Sequence, residues 1–222
     1  MDKRWLNKKG NKKCILFFNG WGMDENAIKP LGFEEVNLCH FNKYTELEEL
    51  ENWLDETIDL APTQLYLVAW SMGVWAAEQV LSNSKLTFEK KVAINGTGKP
   101  VSKEFGIPEP IFRGTLEGWD EANRTKFNLR MMGGRANYQA WSAQLPQRTP
   151  EEQKTELQAI YENSKEAKPN GFVWDKAIIG TKDLIFPSQN QHYFWEGKCE
   201  IEERNIPHFP FGEIKDWEEL IM

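Results

Sequence analysis

The run Leu65-Tyr66-Leu67-Val68-Ala69-Trp70 leads into a single serine, Ser71, and Met72-Gly73-Val74-Trp75-Ala76-Ala77 leads out of it. The first half is apolar and strand-like, and the second is Ala-rich and helix-like. The pattern therefore predicts a strand turning sharply into a helix at Ser71. Such a turn lifts the serine hydroxyl above a sheet edge, where a substrate can reach it. It also crowds the strand against the helix, which accounts for the small residues Ala69 and Gly73 two positions to either side. The general pattern G-x-S-x-G carries glycine at both places, so Ala69 is a departure. Five residues alone describe an ordinary strand-to-helix turn equally well, and the chemistry depends on what accompanies them.

Upstream, Cys14-Ile15-Leu16-Phe17-Phe18 is a continuous apolar run of the kind that suits a strand buried on both faces of a parallel sheet. It ends at Asn19-Gly20-Trp21-Gly22, whose glycines let backbone approach a ligand closely. Downstream, Lys176-Ala177-Ile178-Ile179-Gly180 reads as a late strand, and Asp183 stands just beyond its carboxyl end, where ligand-facing groups gather in open α/β sheets. His208 follows in Asn205-Ile206-Pro207-His208-Phe209-Pro210-Phe211, where two prolines indicate a fixed loop. Serine, aspartate, histidine is the chain order of alpha/beta hydrolases. The three types belong together chemically. A serine hydroxyl is a weak nucleophile at neutral pH, an imidazole can take its proton, and a carboxylate holds the imidazole in the useful tautomer. In that fold the loop after the first strand and the residue after the nucleophile each donate a backbone N–H to the oxyanion; here these are Trp21 and Met72.

The chain has three histidines, which limits the rivals. His40 ends a second apolar strand ahead of Ser71, out of order, and His192 falls in an expected helix, Ser188 to Trp195, as a surface imidazole. Among acids, Asp175 precedes the late strand and Asp216 falls in an expected terminal helix at 213–221. Ser71, Asp183 and His208 are the expected catalytic set.

Phe17-Phe18-Asn19-Gly20-Trp21-Gly22-Met23-Asp24 together with Ala69-Trp70-Ser71-Met72-Gly73-Val74-Trp75-Ala76-Ala77 resembles the BioG-type pimeloyl-acyl-carrier-protein methyl ester esterases of biotin synthesis. It is similar, more distantly, to BioH-type esterases, which have His-Gly-Trp-Gly at the oxyanion loop. Gly180-Thr181-Lys182-Asp183 and His208-Phe209-Pro210-Phe211 resemble the acid and histidine segments of the same group, so the likeness runs over nearly the whole chain. Asn19 for histidine and Ala69 for glycine both fit the BioG-like pattern. The resemblance implies an alpha/beta hydrolase fold and hydrolysis of a methyl ester on a carrier-bound dicarboxyl chain.

A length of 222 residues suits one domain, short for this fold. With the first apolar strand starting near residue 14, no room is expected for an antiparallel lead-in hairpin. Strands are expected near 13–18, 35–40, 64–69, 90–95, 175–179 and 199–203, and helices near 46–60, 72–82, 188–196 and 213–221. The sheet should be compact and mostly parallel, with helices on both faces. Between about 100 and 168 the strand pattern vanishes, and a helical region runs from Glu151 to Lys165; an insert there would form a lid. No apolar run approaches the ~20 residues of a membrane span, and the polar N-terminus lacks a signal-peptide core. Three scattered cysteines suit a reducing compartment, and the cytoplasm is the expected location. No metal or cofactor pattern is visible.

The net charge is −7, yet residues 124–148 contain Arg124, Lys126, Arg130, Arg135 and Arg148 and no acidic residue. Trp119, Phe127, Leu129, Met131, Met132, Tyr138 and Trp141 interleave with them. One reading is a solvated helix face over a small core. The other is a docking patch for an acidic carrier protein, with apolar residues lining an acyl tunnel. The acidic balance makes nucleic acid a poor partner. Two alternatives to the methyl esterase stay open at this level. A thioesterase or small-ester carboxylesterase would share the triad, and a non-catalytic binding protein of the same fold would not need one.

Overall fold

The apolar runs at 13–18 and 64–70 become neighbouring strands inside a seven-stranded sheet. The computed structural model describes residues 1–47, 64–166 and 171–222. Its strands are β1 (Asp2–Asn7), β2 (Lys13–Phe18), β3 (Asn37–Asn42), β4 (Gln64–Trp70), β5 (Lys90–Ile94), β6 (Lys176–Lys182) and β7 (Glu200–Pro207). Their order across the sheet is β1-β3-β2-β4-β5-β6-β7, all parallel except β1, which runs antiparallel to β3. The helices are α1 (Met72–Leu81), α2 (Glu109–Glu117), α3 (Glu121–Met131), α4 (Arg135–Ala140), α5 (Pro150–Glu166), α6 (Ser188–Trp195) and α7 (Trp217–Ile221).

Successive side chains of a strand point to opposite faces, and the two cores divide accordingly. Cys14, Leu16, Phe18, Leu65, Leu67 and Ala69 pack with Trp75 of α1 and Ile160 of α5 on one face. Ile15, Phe17, Tyr66, Val68 and Trp70 pack with Phe209, Phe211 and Trp217 on the other. Because both faces are covered, β2 and β4 are apolar throughout rather than alternating. This is the alpha/beta hydrolase arrangement.

The chain runs from β2 outward to β3, then returns to the other side of β2 to lay down β4. The strand order therefore reverses between β2 and β4. Open α/β sheets bind ligands in the crevice beyond the carboxyl ends at such a switch point. The segment after β2 is Asn19-Gly20-Trp21-Gly22, and the residue after β4 is Ser71.

The sequence reading missed β1. It contains Asp2, Lys3 and Arg4 and is partly exposed along most of its length, as an edge strand needs to be, so it has no apolar run to announce it. It is a lone antiparallel strand on β3, not half of a lead-in hairpin with β2. The expected terminal helix also shortens: Asp216 lies outside it as the N-cap of α7, its carboxylate accepting from Glu219 N. The helix expected near 46–60 falls, from residue 48 on, outside the described residues. Among the described residues, no helix is long and apolar enough to cross a membrane.

Candidate active site

Ser71 sits at φ 58° and ψ −125°, a backbone conformation that non-glycine residues rarely hold unless their surroundings enforce it. Here they do. Ser71 N donates to Ile94 O of β5 at 2.9 Å, and Val74 N of α1 donates to Ser71 O at 3.1 Å. Two glycines permit the crowding. A β-carbon on Gly73 would lie 2.3 Å from Phe18 O, and one on Gly96 would lie 2.2 Å from Ser71 O.

The structure brings Ser71, His208 and Asp183 together across 137 and 25 residues of sequence. His208 Nε2 is 2.9 Å from Ser71 Oγ, and His208 Nδ1 is 2.8 Å from Asp183 Oδ2. With Nδ1–H donated to Asp183, Nε2 is free to accept from the serine hydroxyl, which is the tautomer a general base requires. The histidine and aspartate side chains are almost wholly buried.

The carboxylate of Asp183 is held from all sides. Oδ1 accepts from Ile185 N and Phe186 N, both at 2.8 Å, and Oδ2 accepts also from Gln191 Nε2 at 3.1 Å. Gln191, fully buried on α6, donates to Phe186 O as well, at 2.9 Å. The His208 loop is fixed in the same way. Trp70 Nε1 donates to His208 O at 2.8 Å, and Asn95 Nδ2 donates to Pro207 O at 2.9 Å and His208 O at 3.0 Å. Asn95 Oδ1 accepts from Gly180 N at 2.7 Å, so one side chain ties the end of β6 to the histidine. Sequence reading found none of these supports. A lone Asn, Gln or Trp has no signature, and only the position of Asn95 after β5 and of Gln191 after the acid loop hints at them.

The rival residues lie elsewhere. His192 is partly exposed and pairs with Glu203 at 2.6 Å. His40 is fully buried in β3, and burial pulls its pKa down to about 3, so it is neutral. Its Nε2 lies 2.9 Å from Asn19 Nδ2 and accepts that amide's proton. Asn19 Nδ2 also donates to Asp24 O, and Asn19 Oδ1 accepts from Gly20 N, so the side chain braces the loop from beneath. Gly22 N donates to Glu156 Oε2 and Met23 N to Gly20 O. Among the described residues, the amide of Trp21 is the one in this turn without an acceptor.

Ser71, His208, Trp21 and Met72 open into a cavity of about 540 Å³, inside the ~300–1,000 Å³ span of small-molecule sites. Phe112, Trp119, Phe127, Met131 and Leu157 give it an apolar wall, all from α2, α3, α5 or the turn between α2 and α3. At its mouth stand Lys126 and Arg130, both exposed, with Ile111 and Leu184 exposed at 60% and 64%.

The five basic residues singled out in the sequence do not share one surface. Lys126, Arg130 and Arg135 are exposed. Arg124 is turned inward, donating to Arg148 O at 2.8 Å and to Glu121 Oε1 at 2.7 Å. Arg148 is buried, with Nη1 2.5 Å from Glu156 Oε2, and presents no charge to a docking partner. Its inclusion in the patch is corrected: a single-sequence charge run does not reveal that its counter-charge arrives eight residues later on α5.

Residues 1–220 match the family described as pimeloyl-ACP methyl esterase BioG. A Bacteroides fragilis protein named malonyl-[acyl-carrier protein] O-methyltransferase is 43% identical over 206 residues, covering 92% of this chain and 41% of that protein. The chain thus spans well under half the length of that relative. The crystal structure of BioG from Haemophilus influenzae superposes with a TM-score of 0.88 at 32% identity, covering all of both chains. A lipase-esterase related protein from Clostridium acetobutylicum matches at TM-score 0.66 and 15% identity, over 94% of this chain and 92% of that one, which speaks for the fold alone.

Proposed function

The chain belongs to the BioG family of pimeloyl-ACP methyl esterases, and on that premise we propose that it hydrolyses the methyl ester of a pimeloyl chain carried by acyl carrier protein, through a Ser71–His208–Asp183 triad and an acyl-enzyme. The observation that carries this reading is the continuous bond series Ser71 Oγ, His208 Nε2, His208 Nδ1, Asp183 Oδ2 at the base of an apolar cavity.

Ser71 Oγ attacks the ester carbonyl carbon as His208 Nε2 takes its proton. The carbonyl oxygen becomes an oxyanion, held by the amides of Trp21 and Met72. Collapse breaks the C–O bond to the methoxy group, which leaves as methanol with the proton from His208 and leaves the acyl group on Ser71. A water molecule, deprotonated by His208, attacks the acyl carbon. The second collapse returns the proton to Ser71 Oγ and frees the carboxylic acid, which loses its remaining proton to solvent and leaves as the carboxylate. Asp183 stays ionised and orients the imidazole.

The segment from about 100 to 168, described as far as residue 166, acts as a lid on a single hydrolase domain, its described helices walling the cavity. The substrate fits on both counts. A methylene chain suits Phe112, Trp119, Phe127, Met131 and Leu157, and an acidic carrier suits the exposed Lys126 and Arg130 of the cavity lining and Arg135, exposed on α4. The name of the Bacteroides relative describes methyl transfer to a carrier-bound malonyl group, and a carrier-bound methyl ester is the bond cleaved here. Three unpaired cysteines suit the reducing cytoplasm as its location.

Kinetics on a carrier-bound methyl ester and a small soluble ester test the reading. Wild type should favour the carrier-bound ester in kcat/KM, and equal preference would favour the general carboxylesterase. Reversing Lys126, Arg130 and Arg135 together to glutamate should raise KM for the carrier-bound ester and leave the small ester unaffected. Added salt should weaken wild type on the carrier substrate alone. Exposed contacts contribute only ~0.2–1 kcal/mol each, so the triple change is the informative one. No change on either substrate would remove this surface from the account.

The supports of Asp183 give a smaller expectation. Gln191→Met keeps the bulk but removes two hydrogen bonds, one to a carboxylate, and should lower kcat roughly tenfold. Steady-state kinetics of the folded variant check this.

A further inference from the structure

Helix α5 reaches back 131 to 134 residues in sequence to grip the turn after β2. Trp21 Nε1 donates to Gln153 O at 2.7 Å, Gln153 Nε2 donates to Gly22 O at 2.9 Å, and Gly22 N donates to Glu156 Oε2 at 3.1 Å. Glu156 is fully buried, and its other oxygen accepts from Tyr44 N at 3.0 Å. Tyr44 Oη in turn donates to Asn19 O at 2.7 Å, closing a ring around the turn.

A carboxylate is a costly choice for this place. Removing a charge from water is unfavourable unless it is paired and hydrogen-bonded. Arg148 supplies the pairing, and is itself buried. An apolar side chain of the same size would fill the space without that cost, but it could not accept from two backbone amides pointing at it from different segments. The amides are what the ion pair serves. Gly22 is held at φ 72°, and a β-carbon there would lie 3.0 Å from Gln153 Nε2, so the side chain rests directly on the backbone it fixes.

We propose that Gln153 and Glu156 are positioning residues of the hydrolytic site: by fixing Gly22 and the Trp21 indole they hold Trp21 so that its amide points at the oxyanion. The Trp21 N–H lies in the Gly20–Trp21 peptide unit: anchoring both polar groups of Gly22 and the indole fixes Trp21 on its C-terminal side, while Met23 N donating to Gly20 O fixes that unit on its other edge. Arg148 acts one step further out, by balancing Glu156. The inference rests on the serine-esterase reading of Ser71. It adds that the helix walling the acyl cavity also builds the oxyanion hole, so a displaced α5 would leave the triad bonded and the hole misaligned.

Gln153→Met is the direct test. Gln153 Oε1 has no partner among the described residues, so the change removes one hydrogen bond and one unpaired buried acceptor, and the fold should hold. Reactive serines are counted by exhaustive fluorophosphonate labelling, and kcat on a small soluble ester is expressed per labelled site. A missing oxyanion donor costs ~10²–10³ in kcat; a misaimed one should cost about 10–100-fold, with KM changed less than about threefold. Glu156→Gln, which keeps the shape but turns an N–H₂ toward a backbone amide, should do the same or more. A purely structural role would reduce the labelled fraction and leave kcat per site at the wild-type value, and that result in Gln153→Met overturns the inference. Wild type that neither labels at Ser71 nor turns over esters would overturn the esterase reading beneath it.

Discussion

Ser71→Ala is expected to reduce ester hydrolysis by on the order of 10⁴–10⁶-fold while leaving the fold intact. The hydroxyl is the only group lost, and among the described residues its one hydrogen-bond partner is His208 Nε2. The backbone at φ 58° is enforced by Ile94 O, the start of α1 and the contacts of Gly73 and Gly96, none of which involves Oγ. Alanine meets the same backbone demand as serine, so thermal unfolding should shift little. What survives should be the part contributed by binding and by the Trp21 and Met72 amides. Steady-state kinetics on a purified preparation, with a melting curve on the same sample, check both halves. Turnover near that of wild type would remove Ser71 from the mechanism.

His208→Ala should be nearly as damaging, because proton removal and nucleophilic attack are one step. Adding it to Ser71→Ala should cost little more, since groups that act as a unit are not additive. Asp183→Asn is expected to fall below both, at roughly 10³–10⁴-fold. An asparagine would set an N–H₂ against donors that now converge on a carboxylate, from Ile185, Phe186 and Gln191, and would favour the wrong imidazole tautomer. His192→Ala is the matched control: that imidazole pairs with Glu203, away from Ser71, and should leave kcat unchanged. Loss of activity in His192→Ala with retention in His208→Ala would reverse the assignment.

Legibility in the sequence followed burial. Strands β2 and β4 are covered on both faces, so their apolar runs stand out, and the turn at Ser71 carries its own small-residue pattern. Ser71, Asp183 and His208 could be aligned because each follows the carboxyl end of a strand and their chain order limits the choices. Strand β1 escaped notice because an edge strand with Asp2, Lys3 and Arg4 looks like a polar leader. Asn95 and Gln191 escaped because their meaning lies in backbone carbonyls and a carboxylate brought near by folding. Arg148 was misjudged for the same reason: charge is visible in sequence, whereas burial and pairing with Glu156 are tertiary facts. The supports of a catalytic group are harder to read than the group itself.

The most direct measurement is the mass of a pimeloyl-carrier-protein methyl ester after incubation with the enzyme, beside a Ser71→Ala control. The account predicts that wild type removes the methyl group alone, leaving a free carboxylate on a carrier whose thioester is intact, and that Ser71→Ala leaves the ester unchanged. Release of the carrier as a free thiol would instead make the enzyme a thioesterase, and an unchanged ester with wild type would contradict the proposed substrate.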